Sequence, residues 1–366
     1  MTTAVATPPA DHHEEEHHEH PAWLAHHFDD AEQQFDAGKL GMWLFLVTEV
    51  LFFSGMFCAY ALYRNRNPEV FEFCSTFLNE KLGAINTGVL LFSSLTMAWA
   101  VRASQLKETK TLIGMLAATL GCAAIFLGVK AVEYSHKWGL GLFPGKFYVS
   151  QVEGAHHSDV PYLWYLCIPP LVLLVCFVLY YVYGIVSASK FHLRVAGPLV
   201  VAAGCYFAGV GLGVFLESES EESHSIAHAP ASHTDHATAD HSHETAVSDV
   251  SNATVPNATV QAVNLLGAEV PSTHDVAMTP AESNTPDSSV NQKGMAGLFF
   301  SIYYCMTGVH AFHILGGMAV ITWLIVKSAN HEFHSKYYGP VDNVGLYWHL
   351  VDFIWIYLFP LLYLIT

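Results

Sequence analysis

The sequence predicts an all-α membrane protein, a polytopic bundle of seven transmembrane helices. Of its 366 residues, 52% are hydrophobic and only 13% are charged, which is a low charge content for a soluble domain. Seven apolar segments are each long enough to cross a bilayer, and a segment in lipid must be helical to satisfy its backbone groups. These segments lie near residues 40–64, 83–102, 111–136, 161–187, 195–216, 296–326 and 343–365.

Two long polar segments interrupt this pattern. Residues 1–38 and 217–292 contain acids and histidines but no lysine or arginine. Such segments bury too little apolar surface to fold alone, so we predict a disordered tail over 1–38 and a disordered loop over 217–294. All 15 lysine and arginine residues lie elsewhere, and their distribution offers no surface for nucleic acid.

The polar tail also contains weak candidates for a metal site. A run of acids and histidines over 12–20 includes His12, His13, His17 and His18, which are residue types that bind zinc or copper. A flexible segment cannot hold a fixed set of ligands, so a solvated linker is the favoured interpretation.

The remaining chain divides into three membrane regions. Residues 39–148 contain the first three helices, 149–216 a further pair, and 295–366 the last two. Lysine and arginine in the short loops are slightly more frequent on the side of the N-terminus. We therefore expect a cytoplasmic N-terminus, with the C-terminus and the 217–294 loop on the outer side.

Glu49 is the most informative residue of the first apolar segment. It lies on the order of 12 Å into the helix that begins near Gly41, where a charge is costly. One interpretation is a proton-carrying carboxyl group. The other is a structural carboxyl group that bonds a neighbouring helix or a lipid head group, and both remain open.

His310 and His313 are spaced to share one face of the sixth helix. They are potential metal or haem ligands, but two histidines from one helix do not complete a site. Polar side chains that fix helix packing, or that meet a partner, are the favoured interpretation.

Two acid–base pairs have the same spacing. His349 and Asp352 in the last helix are expected to pair with each other, and Asp352 lies close in depth to Glu49. Lys130 and Glu133 near the end of the third helix are expected to pair or to snorkel.

Motifs for autonomous catalysis are absent from the sequence. It contains no phosphate-binding loop, nucleophile elbow, HExxH, dinucleotide-binding glycine pattern or CxxCH haem attachment. The chain is therefore not expected to be catalytic alone or to bind a cofactor of its own.

Several motifs, in a single order along the chain, carry a resemblance to a known family. The segment GMWLFLVTEVLFF over 41–53 resembles the GMxLFxxSEVxFF signature of subunit III of haem–copper cytochrome oxidases. The further motifs are Asn86-Thr87, Glu133-Tyr134, the TGVHAFH run over 307–313 and the YWHLVD run over 347–352. Together they cover about 38–148 and 295–366, roughly half of the chain.

The resemblance implies an accessory subunit of cytochrome c oxidase, in aerobic electron transport and proton transport. In that family the subunit binds catalytic subunit I directly, associates with subunit II and other respiratory-complex subunits, and holds structural phospholipid. Haem and copper belong to the partner subunits. In the family the subunit supports proton uptake and protects the enzyme from turnover inactivation. For this chain we expect a bacterial plasma membrane, which it crosses several times.

For individual residues the resemblance is equally specific. Glu49 falls on the family's buried, carbodiimide-reactive carboxyl group, with either a proton-related or a lipid-contact role. The intramembrane polar positions of the family's bundle fall on Asn86, Glu133, His310, His313, His349 and Asp352.

The chain departs from the family pattern in two ways. Long members have two helices before the one that bears the glutamate, and these are missing here. Two additional helices, 161–187 and 195–216, and the acidic loop interrupt the motifs. We expect the additional pair either to take the place of the missing helices or to dock another subunit.

Two other functions remain as alternatives. Composition alone allows a metal-ion permease with histidine-rich capture loops, which requires ligands converging from several helices. Subunit III of a related quinol oxidase or nitric oxide reductase shares the same motifs, because the electron donor is recognised by another subunit.

Overall fold

The computed structural model describes residues 28, 30–148, 160–227, 288–334 and 337–365. A short 3-10 turn at Gly145–Phe147 follows the helix that ends at Gly139. The α-helices of the described ranges are α1 Ala31–Arg66, α2 Pro68–Ser75, α3 Glu80–Gln105, α4 Thr109–Gly139, α5 Tyr162–Val186, α6 Lys190–Ala227, α7 Ser288–Ala329 and α8 Gly339–Tyr363.

Seven of these helices, all except α2, are long and apolar enough to cross a membrane. The predicted all-α bundle of seven transmembrane helices is therefore confirmed. The short helix α2 was not predicted. It begins at Pro68 directly after α1, and its Phe71 and Cys74 are buried, so it packs as a cap against the bundle.

The long helices alternate in direction, which gives the bundle two ends. Face A contains the starts of α1, α4, α6 and α8 and the ends of α3, α5 and α7; face B contains the opposite ends. On face A, the Lys39 ammonium group lies 3.2 Å from a carboxylate oxygen of Asp342, which ties α1 to α8. On face B, the Tyr60 hydroxyl donates to the carbonyl of Leu361 and ties the same two helices again.

Helix α1 begins earlier than the sequence analysis expected. The Asp30 side chain accepts a hydrogen bond of 2.7 Å from the backbone N–H of Gln33, which is an N-cap. The part of 1–38 from residue 31 onward is therefore helical rather than part of a disordered tail. In the same way, α6 continues to Ala227 and α7 begins at Ser288, so both helices extend into the predicted 217–294 loop.

The core lies among α3, α4, α7 and α8. Its largest buried side chains include two tryptophans of α8, Trp348 and Trp355. Their indole N–H groups donate to Ser93 Oγ at 2.8 Å and to Thr87 Oγ1 at 3.1 Å, both on α3. A buried indole N–H needs such a partner because lipid supplies none.

Helix α1 lies on one side of this core and is largely exposed. Its buried residues are Leu46, Phe53 and Tyr60, which are seven residues apart and form one narrow stripe. Much of its remaining surface is exposed and apolar, with many leucine, valine and phenylalanine side chains.

Helix α6 packs closely against α4. A Cβ atom added to Gly128 would lie 2.3 Å from the carbonyl oxygen of Tyr206, and one added to Gly209 would lie 2.4 Å from that of Ile125. Glycine at both positions therefore allows the two backbones to touch, as small residues do in membrane helix pairs.

Helix α5 packs outside α6, with which it forms the α5–α6 hairpin (162–227). Pro170 has no N–H to donate to the carbonyl of Leu166 one turn earlier. The Tyr206 hydroxyl of α6 donates to that carbonyl at 3.1 Å. The predicted additional pair is thus docked on α4.

Candidate functional site

Glu49 of α1 meets His313 of α7 between the two helices. Glu49 Oε2 lies 2.9 Å from His313 Nε2, and His313 Nδ1 lies 2.8 Å from the carbonyl oxygen of Val309. A carbonyl only accepts, so Nδ1 carries a hydrogen and Nε2 faces the carboxyl group. The contact then requires one shared proton, held either by Glu49 as a neutral acid or by His313 as an imidazolium.

Aromatic side chains surround this pair on one side. The ring centroids of Phe53 and Phe52 lie 5.1 and 6.3 Å from that of His313, and the Tyr347 hydroxyl donates to the His313 carbonyl at 2.9 Å. The side chains of His313 and Glu49 remain 17% and 19% exposed. The pair therefore lies at the surface of the bundle, where a partner or lipid can reach it.

His310 lies on a different side of α7 from His313. It is fully buried between the rings of Phe126, 5.6 Å away and edge-on, and Trp355, 5.2 Å away and stacked. Neither of its ring nitrogens has a hydrogen-bond partner among the described residues. The two histidines consequently do not form a joint ligand set.

Glu133 is the centre of a buried polar network that joins α4, α7 and α8. Its two carboxylate oxygens lie 2.8 Å from Lys130 Nζ and 2.7 Å from Lys137 Nζ. The hydroxyls of Tyr303 and Tyr363 donate to the same carboxylate at 2.7 and 2.5 Å. Lys130 therefore pairs with Glu133 inside the protein and does not snorkel.

The expected direct pairing of His349 with Asp352 is wrong. No ion pair joins them in the described ranges; instead Ser94 of α3 lies between them. The Ser94 hydroxyl donates to Asp352 Oδ2 and lies 3.2 Å from His349 Nδ1. The cause is the close approach of α3 and α8, which places a serine within reach of both side chains.

Asn86 and the other predicted positions have separate environments. Asn86 is buried and its side-chain amide donates to the carbonyl of Phe126 at 3.5 Å, linking α3 to α4. His12, His13, His17 and His18 lie outside the described residues. Among the residues described, no group of three or more His, Cys, Asp or Glu is arranged to hold a metal ion.

Sequence reasoning missed several members of these clusters. Lys137 follows Glu133 by four residues, so helical spacing was a usable signal for it. Tyr303, Tyr363 and Ser94 come from other helices, and no local pattern distinguishes them from other polar side chains.

Comparison with known proteins identifies one matching family. A family model described as cytochrome c oxidase subunit III matches residues 26–194 and 291–366. The match continues through α5, so it corrects the break at residue 148 that the motifs suggested. Most of α6 and the segment after it lie outside the match.

Individual relatives are similar over shorter stretches. Heme-copper oxidase subunit I+III of Aeropyrum pernix is 38% identical over 71 residues, which cover 19% of this chain and 9% of that protein. Cytochrome c oxidase subunit 3 of Synechocystis sp. is 39% identical over 70 residues, which cover 19% of this chain and 30% of the relative. The corresponding protein of Thermostichus vulcanus is 37% identical over 70 residues, 19% of this chain and 35% of the relative. The chain thus spans about a third or less of the length of these relatives.

Proposed function

Because the chain belongs to the cytochrome c oxidase subunit III family, we propose that it is a non-catalytic accessory subunit of a haem–copper terminal oxidase. The observation that carries the proposal is the Glu49–His313 contact between α1 and α7. In this role the chain supports proton supply to, and the stability of, a catalytic partner in aerobic electron transport. Haem and copper in the partner subunits carry the electrons to oxygen.

The Glu49–His313 pair is suited to holding one proton. The bond from Nδ1 to the Val309 carbonyl fixes the orientation of the imidazole ring, so Nε2 stays directed at the carboxyl group. Moving the proton between Oε2 and Nε2 needs no movement of either helix. Partial exposure on the bundle surface lets the pair exchange that proton with a neighbouring subunit.

The exposed surface of α1 is the part of the chain that we propose contacts subunit I. Trp43, Leu44 and Leu51 are 57%, 63% and 66% exposed, on the helix that bears Glu49. Large exposed apolar surfaces on a spanning helix suit either lipid or another membrane subunit. A relative whose name joins subunits I and III in one chain supports direct contact with subunit I.

The proposed location is a bacterial plasma membrane, with face A cytoplasmic. Face A contains Lys39, Arg102, Lys110, Lys190 and Arg194, consistent with an excess of basic residues on that side. In this orientation the Glu49–His313 pair lies near the middle of α1 and α7, about midway between the two faces.

The central test is Glu49→Gln in the assembled oxidase. Glutamine keeps the size of the side chain but cannot carry the shared proton. We expect assembly to be retained and the number of turnovers before inactivation to fall. Thr48→Ala is the matched control, because the Thr48 hydroxyl donates only to the carbonyl of Phe45 on the same helix. Glu49→Gln behaving like Thr48→Ala from acidic to alkaline pH would refute the proton role.

The accessory role itself is tested by co-purification. We expect the tagged full-length chain to migrate in native electrophoresis with a complex that has the absorption spectrum of haem. Migration without haem would contradict the proposal.

A further inference from the structure

Asp352 of α8 is a carboxyl group in the bundle core that has no counter-charge. Its side chain is 2% exposed, and within the described ranges it forms no ion pair with a lysine, arginine or histidine. Its Oδ1 atom is buried and has no hydrogen-bond partner there. An isolated carboxylate is very costly in such surroundings, so the group takes up a proton and is held as a neutral acid.

The groups around Asp352 are uncharged. Ser94 of α3 donates to Asp352 Oδ2, and the thiol of Cys122 in α4 is near enough to interact with the carboxyl group electrostatically. A thiol is ordinarily neutral at physiological pH. In the described part of the chain, α1 and α7 contribute neither a hydrogen bond nor an ion pair to this carboxyl group. The proton of Asp352 must therefore come through Ser94.

Ser94 links Asp352 to a second titratable side chain. Its Oγ atom lies 3.2 Å from His349 Nδ1, while it also bonds Asp352 Oδ2. A hydroxyl both donates and accepts, and its hydrogen rotates to suit its partners. His349 is only partly buried, whereas Asp352 is buried. The three side chains thus form a chain from a more accessible imidazole to an enclosed acid.

The packing of α3 against α8 holds this chain in place. The indole N–H of Trp348 donates to Ser93 Oγ at 2.8 Å, on the residue next to Ser94. A Cβ atom added to Gly345 would lie 3.0 Å from Cγ2 of Val101, so the two helices also approach closely one turn earlier in α8. The Ser94 hydroxyl is therefore positioned by contacts on its own helix pair.

We propose that His349, Ser94 and Asp352 form a proton-storage site, which a proton enters through His349 and in which Asp352 holds it. The proton arrives at His349 Nε2, Nδ1 passes its own proton to Ser94 Oγ, and the Ser94 hydroxyl passes its proton to Asp352 Oδ2. His349 ends as the other neutral tautomer, Ser94 is unchanged and Asp352 is a neutral acid. Release of the proton reverses these transfers. The site lies between α3 and α8, apart from the Glu49–His313 pair, and it does not depend on the oxidase role.

Infrared spectroscopy of the full-length protein in detergent tests whether Asp352 holds a proton. A protonated carboxyl group has a carbonyl stretch distinct from that of a carboxylate, and we expect one such band at neutral pH to disappear in Asp352→Asn. Incorporation of isotopically labelled aspartate should shift the same band in the unchanged protein, so the assignment does not rest on a variant alone. If neither change affects a carboxylic-acid band, Asp352 is ionised and the proposal is overturned.

The rate of deuterium exchange tests the route through Ser94. Transfer of the protein into heavy water shifts the Asp352 band as its proton is replaced, and the time course of the shift is the readout. We expect Ser94→Ala to slow this exchange about 100-fold, since a positioned proton-transfer group contributes roughly that much or more. Ser94→Thr keeps the hydroxyl and should restore the rate.

Ser93→Ala is the matched control, because the Ser93 hydroxyl bonds Trp348 rather than the pair. His349→Phe removes the entrance while leaving Ser94 in place, and it should slow exchange as Ser94→Ala does. Exchange in Ser94→Ala or His349→Phe as fast as in Ser93→Ala would overturn the route. Oxidase turnover is not measured, so the result is separate from the test of Glu49.

Discussion

At the scale of single residues, the cost of burying a polar group depends on the partners that the fold provides. Glu133 is buried with two ammonium groups and two tyrosine hydroxyls around its carboxylate. His310 is equally buried but has only aromatic rings beside it. The two residues should therefore respond in opposite ways to removal of their polar atoms.

Glu133→Gln should be strongly destabilising. It leaves Lys130 and Lys137 buried without a counter-charge, a change that costs about 3–5 kcal/mol. The readout is the midpoint of thermal unfolding of the purified protein in detergent. Lys130→Met is the comparison, because Glu133 then keeps Lys137, and it should cost less. If Lys130→Met were the more harmful change, the central role given to Glu133 would be wrong.

His310→Phe should be tolerated or mildly stabilising. A buried polar group without a partner costs about 1–3 kcal/mol, and phenylalanine keeps an aromatic ring between Phe126 and Trp355. Thermal unfolding of the variant is compared with that of His313→Phe, which loses the bond to Glu49. A large fall in the midpoint for His310→Phe alone would show that the ring nitrogens are needed.

At the scale of elements, backbone contact between α4 and α6 determines where the α5–α6 hairpin lies. The contact depends on Gly128 and Gly209, whose missing side chains leave room for the opposing backbone. Helix α5 is then positioned by α6, and the Tyr206 hydroxyl satisfies a carbonyl that proline leaves free.

Gly209→Leu should separate α6 from α4. The Cβ atom of the new leucine would lie 2.4 Å from the carbonyl oxygen of Ile125. This is a clash with backbone, which cannot move aside as a flexible side chain can. We expect a lower midpoint of thermal unfolding for the purified variant in detergent. Gly211→Leu is the matched control, because a Cβ atom there meets nothing within 4 Å. Equal effects of both substitutions would rule out a specific contact.

At the scale of the whole molecule, α2 connects the ends of several helices at face B. Tyr60 of α1 and Phe299 of α7 have ring centroids 5.5 and 5.1 Å from that of Phe71 in α2. Cys74 of α2 is completely buried outside the spanning segments, and burial raises the pKa of its thiol to about 12. Its ionisation is therefore coupled to the opening of this end of the molecule.

The sign of that coupling predicts a loss of stability in alkali. The folded protein holds the thiol proton more tightly than the unfolded chain, whose thiol has the ordinary pKa of 9.0. The contribution of the protonated Cys74 thiol to the free energy of unfolding is complete below pH 9.0, and it is lost as the pH rises from there toward about 12. Unfolding of Cys74→Ala, followed from neutral to alkaline pH, should show a shallower decline than the unchanged protein. Identical slopes would mean that the thiol does not titrate on unfolding.

The sequence by itself determined the all-α class, the seven spanning segments and the identity of the costly polar residues. Hydrophobic length is a property of each segment alone, because every span must satisfy its own backbone in lipid. Spacing within one helix likewise predicted that Lys130 and Glu133 pair or snorkel, and the structure shows them paired in one buried network with Lys137.

Only the tertiary structure decided which helices those residues face. It brought Glu49 to His313, separated His313 from His310, and placed Ser94 between His349 and Asp352. Helical spacing indicates which side chains share one face of a helix, but it does not indicate which neighbouring helix that face contacts. That neighbour is chosen by close packing, as the contact between Gly128 and Gly209 illustrates, and packing is a property of the assembled bundle.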